Sequence, residues 1–276
     1  MAYLPKKEVV IIVPLYNKNM TEKEEYSFFR MVDVFNDRDI CIVCPESING
    51  YAKELSNTHE HISISLFSDT NFKGVLEYNR LLMSLEFYQR FINYKYMLIC
   101  QLDVYVFKDE LNYWIDKDFD NIGAPIFEFV DSKPTLKMRK KGNNGGFCLR
   151  KITTCISVLS SIKNRYYKIA TILKVKDVEN SLFWNLFRLI RDGLIFNYNI
   201  KYLRPIINED IFWSIIVPLE NHSFKVCDPK ESMYFSFDSN PRLLYEKCNY
   251  KIPMAIHAWW KYDIDFVKSL INNKSN

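Results

Sequence analysis

The apolar run Tyr96-Met97-Leu98-Ile99-Cys100 ends at Gln101-Leu102-Asp103. A carboxylate there must face water, a metal or another cation, because burying an unpaired charge is costly. The plainer alternative is a helix cap for the next segment. A second acidic point, Asn208-Glu209-Asp210, opens a predicted helix, where acids often do no more than complement the helix dipole. Gly145-Gly146 lies just before a strand-like run. Missing side chains there admit a ligand to the backbone or simply make a turn. His257 sits in His257-Ala258-Trp259-Trp260, where a hydrogen-bonded core histidine is the bland alternative to a ligand. The basic run Lys137-Met138-Arg139-Lys140-Lys141 reads as a flexible loop with some contact to a bound ligand, between a merely solvated loop and a mobile lid.

Such residues need a scaffold, and the composition supplies one. Of 276 residues, 48% are hydrophobic and 16% aromatic, enough to bury a substantial core and exclude global disorder. The net charge, 37 − 33 = +4, is too small for a protein that coats a polyanion, so no nucleic-acid partner is expected. No apolar run approaches the ~20 residues that span a bilayer, and the N-terminus lacks signal-peptide character. A cytoplasmic location, extending to the inner face of the membrane, follows as the expectation. The seven scattered cysteines suit buried small hydrophobes. In Cys41-Ile42-Val43-Cys44 the two thiols fall on opposite faces of a strand, which argues against a metal pair.

The hydrophobic period alternates along the first half. Strands are predicted over Glu8–Leu15, Asp39–Cys44, His61–Phe67 and Tyr96–Leu102, with helices over Thr21–Phe35 and Phe72–Phe91. Thr21 with Glu24 three residues on is a capping-box pattern. The alternation predicts a mostly parallel sheet sandwiched by helices. Ligands of such sheets bind beyond the carboxyl ends of the strands, where Asp103 stands. Farther on come a short strand at Asn121–Pro125, a polar segment over Ser132–Asn144, a strand at Gly145–Arg150 and a helical stretch from Ile152 to Arg191. Leu182, Phe183, Trp184, Phe187 and Ile190 share a face of that stretch with Arg188 and Arg191 nearby, which reads as core packing or peripheral lipid contact. A C-terminal helix closes the chain.

Taken together, QLDVYVF (101–107), IGAP (122–125), GNNGGFCLR (142–150), NEDIFW (208–213) and HAWWKY (257–262) resemble an uncharacterised bacterial family of predicted glycosyltransferases with a GT-A fold. The resemblance runs from about Val9 to Tyr262. It implies one Rossmann-like GT-A domain over residues 1–276, with a nucleotide-binding half (1–107) and an acceptor-binding half (108–276) carrying a helical insertion at about 152–205. It implies a nucleotide-sugar donor, a UDP-sugar first, and a glycan or lipid-linked acceptor in surface polysaccharide or glycoconjugate synthesis. It also implies the site. Asp103 and His257 would hold a divalent metal, manganese or magnesium, although Tyr105 replaces the second acid of the DxD pattern. Asp210 would be the base of an inverting transfer, and Glu209 would bind sugar. Tyr16, Asp69, Asn79, Arg80, Asp103, Gly145, Gly146 and Lys261 would contact the donor.

Two other readings compete. A sugar nucleotidyltransferase needs a glycine-rich basic loop after the first strand, but Pro14-Leu15-Tyr16-Asn17-Lys18 has no glycine, and no Walker GxxxxGK[ST] occurs. The loss of the second DxD acid also fits a degenerate protein that binds a nucleotide sugar without turnover.

Overall fold

The computed structural model describes residues 7–161 and 208–273. The expected helical face at 182–191, and most of the insertion, lie outside the described residues. Six strands, β1 (Lys7–Pro14), β2 (Asp39–Pro45), β3 (Ile62–Phe67), β4 (Tyr94–Cys100), β6 (Asn121–Val130) and β7 (Lys133–Lys151), form one sheet in the order β3-β2-β1-β4-β7-β6. β3, β2, β1 and β4 are parallel, while β7 and β6 close the edge antiparallel. The buried β-branched run Val9–Val13 is covered on both faces, which is why it is continuously apolar rather than alternating.

Helices α1 (Glu22–Val34) and α2 (Asn49–Ser56) cover one face of the sheet. Helices α3 (Val75–Leu82), α4 (Leu85–Arg90) and α6 (Ile152–Ser161) cover the other, and the short α5 (Leu111–Asp116) follows β5. Thr21 and Glu24 exchange both bonds of the expected capping box. Cys41 and Cys44 fall in the two opposite cores, and all seven cysteines are buried and unbridged.

A second sheet of three short strands, β5 (Tyr105–Val106), β9 (Ala255–Ile256) and β8 (Ser236–Phe237), packs against a third core with α10 (Pro241–Lys247) and α11 (Ile264–Asn273). Between α6 and β8 the described chain runs through α7 (Glu209–Ile211), a π-helical turn (Phe212–Ile216), α8 (Val217–Glu220) and α9 (Pro229–Ser232).

Two expectations are corrected. The helix over Phe72–Phe91 is two helices, because Ser84 stops the first and its hydroxyl accepts the Phe87 amide at the start of the second. The basic segment 132–144 is not a loop. It is the first part of β7, paired in a hairpin with β6, which runs five residues past the predicted end at Pro125. The pairing is irregular. Between Pro125 and Phe127 one β6 residue, Ile126, faces four on β7, Arg139–Gly142, and Ala124 likewise faces Asn144–Phe147. Gly142, at φ +104°, makes the bend between these bulges. Polarity of the segment hid the pairing, since neither bulged stretch alternates in hydrophobicity.

Candidate functional site

The small sheet sets three polar side chains side by side. Asp103 precedes β5, His257 follows β9 and Asp238 follows β8. β5 pairs with β9 through Tyr105 and Ile256, and β8 with β9 through Phe237 and Ile256, so the three residues leave the sheet at one end. Asp103 is also fastened from behind, its carbonyl accepting the Trp259 amide at 3.2 Å. Ala258, between His257 and Trp259, holds a left-handed φ of +50°, a strained conformation for a residue with a Cβ.

His257 stands between two carboxylates. Nδ1 lies 3.0 Å from Asp238 Oδ1 and Nε2 lies 3.2 Å from Asp103 Oδ1. Burial alone would lower the imidazole pKa, but both carboxylates oppose it and push it up to about 10. Burial works against ionised Asp103 too. His257, the Asp103 backbone amide and Lys261 outweigh it and hold the carboxyl below its ordinary range. The Nε2 contact does not have hydrogen-bond geometry, so Asp103 Oδ1 is buried without a hydrogen-bond partner.

That orphaned oxygen beside a ring nitrogen tests the site for a metal. Hard divalent cations bind oxygen at about 2.1 Å, which puts adjacent ligands about 3 Å apart. The Asp103–His257 pair has that spacing, and an oxygen plus an imidazole nitrogen suits manganese. Asp238 orients the ring from behind, as outer-shell carboxylates do at metal-bound histidines. Among the described residues no group of three metal-ligating side chains forms, so further ligands would come from substrate or water. Tyr105, at the position of the absent second acid, packs instead against Tyr26, Phe107 and Trp259.

Gly145 and Gly146 lie in the second bulge of β7, against which the site is pressed. A Cβ on Gly146 would lie 2.1 Å from His257 Nε2, and one on Gly145 2.0 Å from Glu209 Oε1. Asn144 shapes the bulge, its Oδ1 accepting the Gly146 amide at 2.8 Å. The absent side chains let His257 and Glu209 reach the strand.

Glu209 is 5% exposed and held at both ends. Its amide donates to Asn79 Oδ1 at 3.0 Å, and Oε2 accepts from Arg150 Nη2. Arg150 spends its other nitrogens on Tyr88 Oη and Asn121 Oδ1, so each guanidinium nitrogen of this buried ion pair donates a bond. Among the described residues Asp210 has no ion-pair partner, and its Oδ1 accepts the Ile211 amide at 2.7 Å. Burial first, and the neighbouring Glu209 charge second, raise its carboxyl from 3.8 to about 7.

Two cavities meet here at the carboxyl ends of β1 and β4. One, of about 440 Å³, is lined by Tyr16, Tyr78, Asn79, Gly145, Gly146, Glu209, Asp210 and His257. The other, of about 310 Å³, is lined by Asp103, Arg139, Asp210, Asp238, His257 and Lys261. Of the residues read from sequence, these cavities gather Tyr16, Asn79, Asp103, Gly145, Gly146, Glu209, Asp210, His257 and Lys261. Asp69 and Arg80 line neither. Asp69 accepts the Ser47 amide at 3.1 Å, and Arg80 lies 3.5 Å from Glu77 on the surface of α3. Sequence reading missed Asp238 and Arg150, and had Arg139 only as one of five residues in a basic run with some donor contact. A charge ending the apolar run Phe147-Cys148-Leu149 was a signal for Arg150; Asp238, nineteen residues from His257, gave none.

A family model matches residues 61–257, well over half the chain, and is described as protein of unknown function (DUF5672). The chain belongs to this family. DUF5672 membership covers β3 through His257, and so every site residue above except Tyr16 and Lys261. No curated protein matches the chain in sequence. Among solved structures it is similar to apo mouse xyloside xylosyltransferase 1, at 10% identity over 91% of this chain and 97% of that one, with a TM-score of 0.50. GlyE, a glycosyltransferase of Streptococcus pneumoniae, matches at 11% identity over 98% of this chain and 64% of its own, TM-score 0.47. The galactosyltransferase LgtC, in complex with donor and acceptor sugar analogues, matches at 13% identity over 96% and 95%, TM-score 0.44. At these identities the likeness is one of fold. This DUF5672 chain has the mostly parallel, helix-flanked sheet of GT-A glycosyltransferases. Among the described residues no helix is long and apolar enough to cross a membrane.

Proposed function

We propose that this protein is a glycosyltransferase that moves a sugar from a nucleotide-sugar donor to a hydroxyl acceptor with inversion at the anomeric carbon. The observation that carries the reading is the meeting of three groups on one cleft: the Asp103–His257 pair at 3.2 Å, the Asp210 carboxyl, and the glycine bulge that admits His257 and Glu209. In the proposed reaction Asp210 accepts the acceptor hydroxyl proton as that oxygen attacks the anomeric carbon. The bond from that carbon to the diphosphate oxygen breaks, and its electron pair stays on the phosphate. A carboxyl with a pKa of about 7 is matched to this task near neutral pH. Glu209, pinned by Arg150 and Asn79, presents its other oxygen toward Gly145 and the larger cavity, where it would bind a sugar hydroxyl. Tyr16, at the end of β1, would border the nucleoside, and Lys261 the diphosphate. Asp103 and His257 would hold a divalent cation, which supplies charge neutralisation to the departing phosphate.

The donor is left open by these side chains, with a UDP-sugar the first to try and a glycan or lipid-linked hydroxyl the acceptor class. The test is slow donor hydrolysis across a panel of nucleotide sugars with manganese. Turnover of one donor, abolished in Asp103→Asn, is the expected result. Donor binding without turnover by any acceptor or water would favour the second reading, a sugar-nucleotide-binding protein, for which the packed Tyr105 is the specific observation. No binding of any nucleotide sugar would end both.

A further inference from the structure

The five-residue basic run at 137–141 is sorted by the hairpin. Lys137, Lys140 and Lys141 are exposed on β7, and Lys137 pairs with Glu128 at 2.8 Å. Arg139 alone among its cations lines the 310 Å³ cavity, with Asp103, His257, Asp210 and Lys261. The cause is the bulge at Arg139–Gly142, four residues against one, closed by the positive φ of Gly142. Bulges of this kind re-aim a side chain that regular pleating would send elsewhere. A Cβ on Gly142 would also press on Ile126 and Ile215 at 3.2 Å each, so the bend is wedged between β6 and the π-helical turn that follows Asp210.

Arg139 thus reaches the site from β7, and Lys261 reaches it from the segment that follows the small sheet. Two cations from separate elements that line one polar cavity with the Asp103–His257 pair suit an anion with more than one phosphate. Chemistry sharpens this. When the bond from the anomeric carbon to the phosphate oxygen breaks, the electron pair stays on the diphosphate, which then carries one more negative charge than in the donor. A planar guanidinium presents two parallel N–H groups to two phosphate oxygens, a fixed fork that an ammonium lacks. We infer that Arg139 is a diphosphate-binding residue, re-aimed by the β7 bulge, that with Lys261 clamps the terminal phosphate of the leaving nucleoside diphosphate. This rests on the glycosyltransferase reading and names a residue for it outside the motifs that suggested that reading.

Calorimetry tests it with UDP, GDP, CDP and ADP, and with the matching monophosphates, in buffer containing manganese. Losing one bidentate charge-assisted contact costs about 10- to 100-fold in affinity. Arg139→Met should therefore weaken the bound diphosphate by that factor and change the monophosphate by less than about threefold. Arg139→Lys, which keeps the charge, should recover only part of the loss, and Lys140→Met, on the exposed side of the same bulge, should bind like wild type. Arg139→Lys also serves if the methionine variant fails to melt cooperatively. Wild-type diphosphate affinity in either folded Arg139 variant overturns the inference and leaves the transferase reading standing. An equal loss in Lys140→Met, or an equal loss for the monophosphate, overturns it as well, since both mean diffuse charge attraction. Wild-type protein that binds no diphosphate defeats the inference together with the reading beneath it.

Discussion

Asp210→Asn should make the protein more stable and inactive at once. The carboxyl sits about three units above its ordinary value, raised from 3.8 to about 7. The folded protein therefore keeps a proton that the unfolded chain releases above about pH 4. Its stability contribution is most favourable below pH 4, is lost as pH rises through 4 to 7, and is fully absent above that. Three units at 1.36 kcal/mol each give about 4 kcal/mol, and screening by water in the two adjoining cavities reduces this to about 1–3 kcal/mol. Asparagine has the same shape and no charge to bury. At pH 8.5 the variant should melt about 2–12 °C above wild type, taking ~2–4 °C per kcal/mol, and the gap should narrow toward pH 4.5. Scanning calorimetry over this range needs no substrate. With the donor that the hydrolysis panel identifies, transfer should fall about 10²- to 10⁴-fold while donor affinity barely moves. The wild-type rate should rise with pH through an apparent pKa near 7. A role limited to complementing the helix dipole predicts the reverse, about 0.3–1 kcal/mol of lost stability with transfer intact. A variant less stable than wild type at pH 8.5, or one that transfers normally, refutes the reasoning.

Asp103→Asn should abolish manganese-dependent donor binding in calorimetry with no loss of fold, and His257→Ala should weaken it less; binding unchanged by chelator would remove the metal role. Gly146→Ala places a Cβ 2.1 Å from His257 Nε2, a rigid ring that cannot step aside cheaply, so manganese affinity should fall at least tenfold, read by the same titration. Arg150→Met strands the buried Glu209 charge and should cost about 3–5 kcal/mol in denaturant melts. Adding Glu209→Gln should restore much of that stability. By itself Glu209→Gln should raise the apparent Michaelis constant, and NMR of the product should show inverted anomeric configuration.

Much of the sheet was readable because a strand covered on both faces has no alternative to being apolar, as Val9–Val13 and Met97–Cys100 are. The Thr21–Glu24 box was readable because capping is local chemistry. Where local and distant signals compete, reading failed. Ser84 carried a cap signal inside a continuous apolar period, and the period hid the break between α3 and α4. The β6–β7 hairpin was hidden because Asn121 pairs with Arg150 and Val130 with Lys133, a nested pairing of polar sequence with three register shifts. The site divides in the same way. Asp103, Asp210 and His257 stand at element ends, which periodicity locates. Asp238 is defined only by Phe237 lying beside Ile256, a contact no window of sequence contains.

The seven buried thiols supply the molecule with its own clock. Burial pushes their pKa values up, Cys41 and Cys44 to about 11 and Cys148 to about 12, so an alkylating reagent meets almost no thiolate until a region opens. The seven are spread over β2, β4, β7, α6 and the stretch around the small sheet. Timed alkylation followed by peptide mass spectrometry therefore ranks these elements by opening free energy without a single introduced label. Cys248, beneath the sheet that carries His257 and Asp238, reports whether that platform breathes apart from the parallel core that Cys41 and Cys44 monitor. A ligand that ties Asp103 to His257 should slow the first of these clocks and leave the second running at its own pace.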